Sequence, residues 1–363
     1  MYNKPSFNLQ SLTGKFFLKT ANDNFDFSAA AAEIRADFPH LAGKLYFVDS
    51  FKKEYIRGHA TADASFDSLM QNNPSLRVSL NNQIEKYGAQ KNSMVFKGPQ
   101  SDYFIVLYTG ADAIALLGAG ASQKQALSFV IDHEIGHIVT QYGQPGKLSR
   151  TLHECTADAY AALRQLQRFG SAGMENIEGL RLRRAQRLIS LHGARHAEHF
   201  TSFVLDKIIE LAPKLPLSAM TAQQTAEVAA RIAIAYAPND QIVKNVQDAF
   251  TPFQDALARK TGDDTPYRML AQVVLETHSW EIFKWGAPVL RGYLRAALGD
   301  MQNGDTFIEV NKTPLEGPGW QRVANELAQR EFAFNREQIL FGLDLPEKSS
   351  AARAAVRPLK RAP

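Results

Sequence analysis

Between Ala126 and Val139 the chain carries Leu127, Phe129, Val130, Ile131, Ile135, Ile138 and Val139, apolar residues spread around every side of a helix. His133, Glu134 and His137 are set among them. A helix that is apolar all round is buried, and ionisable groups inside it cost free energy unless something pairs with them. The fold must therefore enclose this segment and supply partners for two imidazoles and a carboxylate. A metal ion does so directly. Ser122 with Gln125 three residues later is a capping-box signature for the start of the helix, and Gly143, Pro145 and Gly146 break the pattern after it.

His133-Glu134-Ile135-Gly136-His137 follows the pattern H-E-x-x-H. Positions four apart differ by about 40° around the helix axis, so both imidazoles face one way and can share a tetrahedral ion. Glu134 stands about 100° round from His133, close enough to hold a metal-bound water without ligating the metal. That arrangement suits metal-assisted hydrolysis. Two histidines satisfied by backbone carbonyls are the alternative, and the cost of burying the whole set argues against it.

A third ligand is required, and Glu154 and Asp158 are the candidates. They sit on a second helix expected from about Thr151 to Phe169, with Gly170 as its C-terminal cap. The chain after His137 is long enough to turn and return antiparallel to the first helix. Glu154 and Asp158 share a face opposite the apolar stripe of Leu152, Ala159, Leu163 and Leu166. Cys155, Ala157, Ala159, Ala161 and Ala162 leave this helix without long solvating side chains, which allows a close approach between helices. We read Glu154 as the third ligand and Asp158 as the acceptor that fixes the tautomer of a ligand imidazole. Two alternatives stay open: Thr151 and Glu154 form a capping box, or Asp158 ligates while Glu154 caps. His153 is expected on another face of the helix, and Cys155 as a small packing residue.

Together these residues, from Phe129 to Tyr160, resemble the gluzincin class of zinc metallopeptidases, in which H-E-x-x-H is followed by a helix carrying E-x-x-x-D. The resemblance implies one Zn2+ ion, a protein or peptide substrate, and Glu134 as the base that takes a proton from water and passes it to the leaving amine. It also implies a substrate-aligning strand before the metal helix, for which Tyr103 to Tyr108 or Ile114 to Leu117 would serve. The fold class expected is α+β, predominantly helical: a zincin-like metal helix pair preceded by a small β-sheet and followed by a helical C-terminal region. Such sites add a donor for the developing oxyanion. His196 and His199 are candidates, although His196 falls on the apolar stripe of Phe200, Val204, Ile208 and Leu211, where a core histidine is the ordinary case. A second zinc at His192, His196 and His199 is weakened by the helix-disfavouring Gly193. A reading from a different class is a regulatory or effector protein that uses the site for one specific cleavage or only for structure.

The remaining pattern divides the chain into a mixed α/β part (1–120), the catalytic helices (121–215), a helical region (216–345) and a basic tail (346–363) expected to be disordered. Leu45 to Val48, Met94 to Phe96 and Tyr103 to Tyr108 favour strands, and Thr61 to Tyr87 has a weak helical period. Further helices are expected at Glu175–Leu191, His196–Leu211, Thr221–Tyr236, Asp240–Lys260, Pro266–Leu298 and Trp320–Leu340, with a strand at Thr306–Val310. A hydrophobic fraction of 45% in 363 residues provides ample core.

One cysteine excludes an internal disulfide and a four-cysteine zinc site. The net charge of +4 is concentrated in Arg181, Arg183, Arg184 and Arg187 and in the tail. With no aromatic interleaving, that arginine run reads as a solvated face, and no nucleic-acid partner is expected. Residues 1–24 lack an apolar signal region and Gly110 to Ala121 is too short to span a bilayer, so a cytoplasmic protein without membrane association is expected. The oligomeric state is left open.

Overall fold

The run Phe104–Tyr108, FIVLY, has no polar position to turn towards solvent, and all five residues are buried. A strand of that kind must be covered on both faces, and the architecture follows from it. The computed structural model of the chain describes residues 25–259, apart from 51, 91–92, 109–116, 118–120, 141–148 and 187–192. In chain order the described elements begin with α1 (Phe27–Asp37), β1 (Leu45–Asp49), β2 (Glu54–Tyr55), α2 (Ala60–Asn72), α3 (Pro74–Gln90), β3 (Met94–Lys97) and β4 (Phe104–Tyr108). They continue with α4 (Gln123–Val139), α5 (Arg150–Gln186), a 3-10 segment (Gly193–His199), α6 (Ser202–Leu211), α7 (Ala222–Tyr236) and α8 (Asp240–Arg259). Among the described residues the class is α+β, mostly helical with one four-stranded sheet.

The strand order is β2-β1-β4-β3. β4 runs parallel to β1, with Leu45 opposite Phe104 and Asp49 opposite Tyr108, and antiparallel to β3, with Met94 opposite Leu107. Alternate side chains go to opposite layers. Leu45, Phe47, Phe104, Val106 and Tyr108 join the core that contains α1, α4 and α5. Tyr46, Val48, Ile105 and Leu107 pack with Ala62, Phe66, Leu80 and Ile84 from α2 and α3. One position of the aligning strand must be corrected. β4 has a strand on each side, so Tyr103 to Tyr108 has no edge left for a peptide. Among the described residues β3 forms that edge instead, and most of Ile114 to Leu117 lies outside them.

The expected capping box starts α4: Ser122 Oγ accepts from Gln125 N–H at 3.3 Å, and Gln125 Oε1 accepts from Ser122 N–H at 2.7 Å. α4 is buried on every side, with Leu127, Phe129, Ile131 and Ile135 at most 1% exposed. Its rear is tied to α1 and α5 by charge. Arg168 pairs with Asp132 and, at 2.9 Å, with Glu33. Arg164 pairs with Glu33 at 3.1 Å and Asp37 at 2.5 Å.

Three expectations are modified. The helix through Glu154 does break at Gly170, which takes φ +55°, but it resumes at once and continues to Gln186. Gly173 permits this path, since a Cβ there would stand 2.4 Å from the Gln165 carbonyl oxygen. The helix expected from His196 begins only at Ser202, after a 3-10 segment. The described part of the arginine run is not a solvated face, because Arg181 is paired with Asp206 and Arg184 is buried, while Arg187 lies outside the described residues.

The described residues divide into two compact units, one within 25–183 and 201–237 and the other within 184–200 and 238–259. Among the described residues no helix is long and apolar enough to cross a membrane. The expectations for residues 1–24, for the breakers Gly143, Pro145 and Gly146, for Pro266–Leu298, Thr306–Val310 and Trp320–Leu340, and for the tail 346–363 lie outside the described residues.

Candidate metal centre

Gly136 brings α4 and α5 together. A Cβ on it would lie 2.7 Å from Ala157 Cα and 3.0 Å from Ala157 O, so the two backbones cross where neither helix presents bulk. Cys155, Ala157, Ala159, Ala161 and Ala162 are all fully buried, as the small residues of that segment require. Gly136→Ala should push backbone against backbone, and overpacking at the upper end of about 1–3 kcal/mol, since no flexible side chain can give way, outweighs the ~1 kcal/mol that Ala gains over Gly in a helix, for a net loss of about 1–2 kcal/mol. Thermal unfolding checks this, and an unchanged midpoint would contradict the close crossing.

The crossing sets two imidazoles of α4 against a carboxylate of α5. His133, His137 and Glu154 each offer a ligand atom, and the three atoms lie within 4.8 Å of one another. His133 Nε2 is 3.2 Å from His137 Nε2 and 3.5 Å from Glu154 Oε2, while His137 Nε2 is 3.8 Å from Glu154 Oε1. Their side chains keep 12%, 14% and 17% exposure, which leaves the group reachable from solvent.

Each ring is also held from behind. His133 Nδ1 is 2.8 Å from Asp158 Oδ1. Asp158 is fully buried, and its other oxygen accepts from Thr201 Oγ1 at 2.5 Å. His137 Nδ1 is 2.9 Å from His153 Nδ1, with the two rings stacked at 4.8 Å. Glu154 is not spent on a cap: Ser149 Oγ accepts from Leu152 N–H at 3.3 Å, and Thr151 lies buried inside the helix.

The electrostatics of the group favour one positive centre. Burial pulls the His133 pKa down, but the hydrogen bonds and charges of Asp158 and Glu154 outweigh it and push the ring up to about 10. Burial and the charge on His133 lower His137 to about 3. Burial, with Glu154 adding to it against the pull of His133, raises Glu134 to about 7. One positive centre among Glu154, Asp158 and Glu134 satisfies the pocket. Two imidazole nitrogens and one carboxylate oxygen are donor types that can hold a divalent ion.

Sequence reasoning missed two residues here. His153 does not point to another face; it reaches His137. It lies one turn before Ala157, the residue that faces Gly136, so the stripe His153–Ala157 was a usable signal. Thr201 had none, being far along the chain and joined to Asp158 only by tertiary folding. Its hydroxyl is taken by Asp158, and Thr201 makes no side-chain cap for α6.

His196 is not part of the group. It belongs to the other unit, about half exposed and 3.7 Å from Glu198. His196 and His199 lie 6.4 Å apart, ring to ring, and His192 is outside the described residues. No protein-family profile, curated protein or solved structure matches the chain.

Proposed function

We propose that this protein is a zinc-dependent metallopeptidase, with His133, His137 and Glu154 as ligands and Glu134 as general base. The observation that carries the proposal is the convergence of two Nε2 atoms and one carboxylate on one point, with both Nδ1 atoms held from behind. A structural zinc site is closed by four protein ligands, whereas a catalytic one has three and an open position; among the described residues this group has three. Zinc bound there would supply Lewis acidity, making water acidic near neutral pH and polarising a carbonyl group.

The chain's own residues do the rest. Glu134, one position from His133 and buried, accepts the proton of the attacking water and returns it to the leaving amine. Asp158 keeps His133 in the tautomer that presents Nε2. The outer edge of β3 suits an extended peptide added as a further strand. β3 packs against α4, the helix that carries His133 and His137.

The test joins metal content to hydrolysis. Purified protein should carry one equivalent of zinc by elemental analysis and cleave a mixed peptide pool, with cleavage lost on treatment with 1,10-phenanthroline and restored by added zinc. Glu154→Ala should lose the metal. Protein that neither carries nor takes up zinc would overturn the proposal.

A further inference from the structure

Asp158 and His153 stand in equivalent places behind the two imidazoles, but only one of them is an acid. The Nδ1 atoms of His137 and His153 are 2.9 Å apart, a distance at which one must donate and the other accept. His137 turns its Nε2 towards His133 and Glu154. An imidazole that ligates through Nε2 carries its proton on Nδ1. His137 is therefore the donor, and His153 accepts with its own proton on Nε2.

We infer that His153 is a positioning residue, fixing the tautomer and ring orientation of His137 through this hydrogen bond. The inference rests on the zinc-site proposal above and adds a member to it. One ligand is backed by the buried carboxylate of Asp158, the other by a neutral ring, half-buried and stacked on its partner. The two ligands thus differ in basicity: a carboxylate behind His133 makes it the stronger electron donor, while His153 mainly holds His137 in place. His153 is not itself a ligand, because its Nδ1 is engaged by His137 and the converging group omits it.

The experiment uses the full chain as wild type, His153→Ala and His153→Gln, with zinc affinity measured by chelator competition and the visible spectrum of the cobalt-substituted protein. Gln offers a carbonyl oxygen that can accept the same hydrogen bond. His153→Ala should bind zinc about 10–100-fold more weakly, at unchanged stoichiometry and with shifted cobalt bands. His153→Gln should return to within a few-fold of wild type, which a loss of packing alone would not allow. Wild-type affinity and spectrum in His153→Ala overturn the inference. So does complete loss of metal that Gln does not rescue, which marks a ligand. If His153→Ala does not fold, His153→Gln decides: bands like wild type support the role, and altered bands with weakened affinity overturn it. Failure of wild type itself to bind metal removes the site as a whole, a result distinct from either.

Discussion

Glu134→Gln protein is expected to keep one equivalent of zinc and to lose peptide hydrolysis by about 10²–10⁴-fold, the contribution of a general acid–base group. The substitution suits its purpose because the amide fills the same buried volume and retains hydrogen-bonding capacity, but cannot accept a proton from water. Glu134 is 6% exposed, so a smaller residue would leave a cavity and mix packing with chemistry. Removing a buried negative charge should leave stability unchanged or raise it. Cleavage of a degenerate peptide pool, read by mass spectrometry beside elemental analysis, separates the outcomes. Equal cleavage by wild type and variant would remove Glu134 from the chemistry. Zinc in both with cleavage by neither would favour a structural site in a regulatory or effector protein.

The second large effect is on stability. Arg168→Met should cost about 3–5 kcal/mol, the range for removing one partner of a buried ion pair. Asp132 is 1% exposed and directly precedes His133, and Arg168 joins it to Glu33 on α1. Without the guanidinium, a carboxylate is left unpaired at the back of α4. The double variant Asp132→Asn, Arg168→Met should recover much of the loss, since the remaining amide is neutral. Arg57→Met is the control. Its partner is Asp67, both side chains are more than half exposed, and no measurable change is expected. Urea unfolding of the four proteins checks the set, and an Arg168→Met midpoint equal to wild type would refute the ion pair's role.

The parts of this fold legible in the sequence are those set by local pattern. β1 and β4 read as strands because their apolar runs are continuous, and α4 read as buried because its apolar residues encircle it. The capping box at Ser122 was visible for the same reason. The grouping of Glu154 with His133 and His137 followed from small residues that imply close helices. What stayed hidden depended on partners distant along the chain. Nothing near Phe104 says that both sides of β4 are occupied, so an interior strand passed for an edge. Adjacent residues on a helix point about 100° apart, which directs His153 away from the face of Glu154. The direction of a side chain from its own axis does not tell where the neighbouring helix crosses. The helical continuation past Gly170 was similarly hidden, since a glycine that caps one helix can also be the hinge between two.

The parallel pairing of β1 with β4 bears on how the molecule assembles. Leu45 meets Phe104 only after the whole α2–α3 connection has formed a loop, a closure whose entropy must be met before any ladder forms. The hairpin of α4 and α5 needs only the short chain between His137 and Glu154. The helices that carry His133, His137 and Glu154 can therefore come together ahead of the sheet, while the central strands still search for each other.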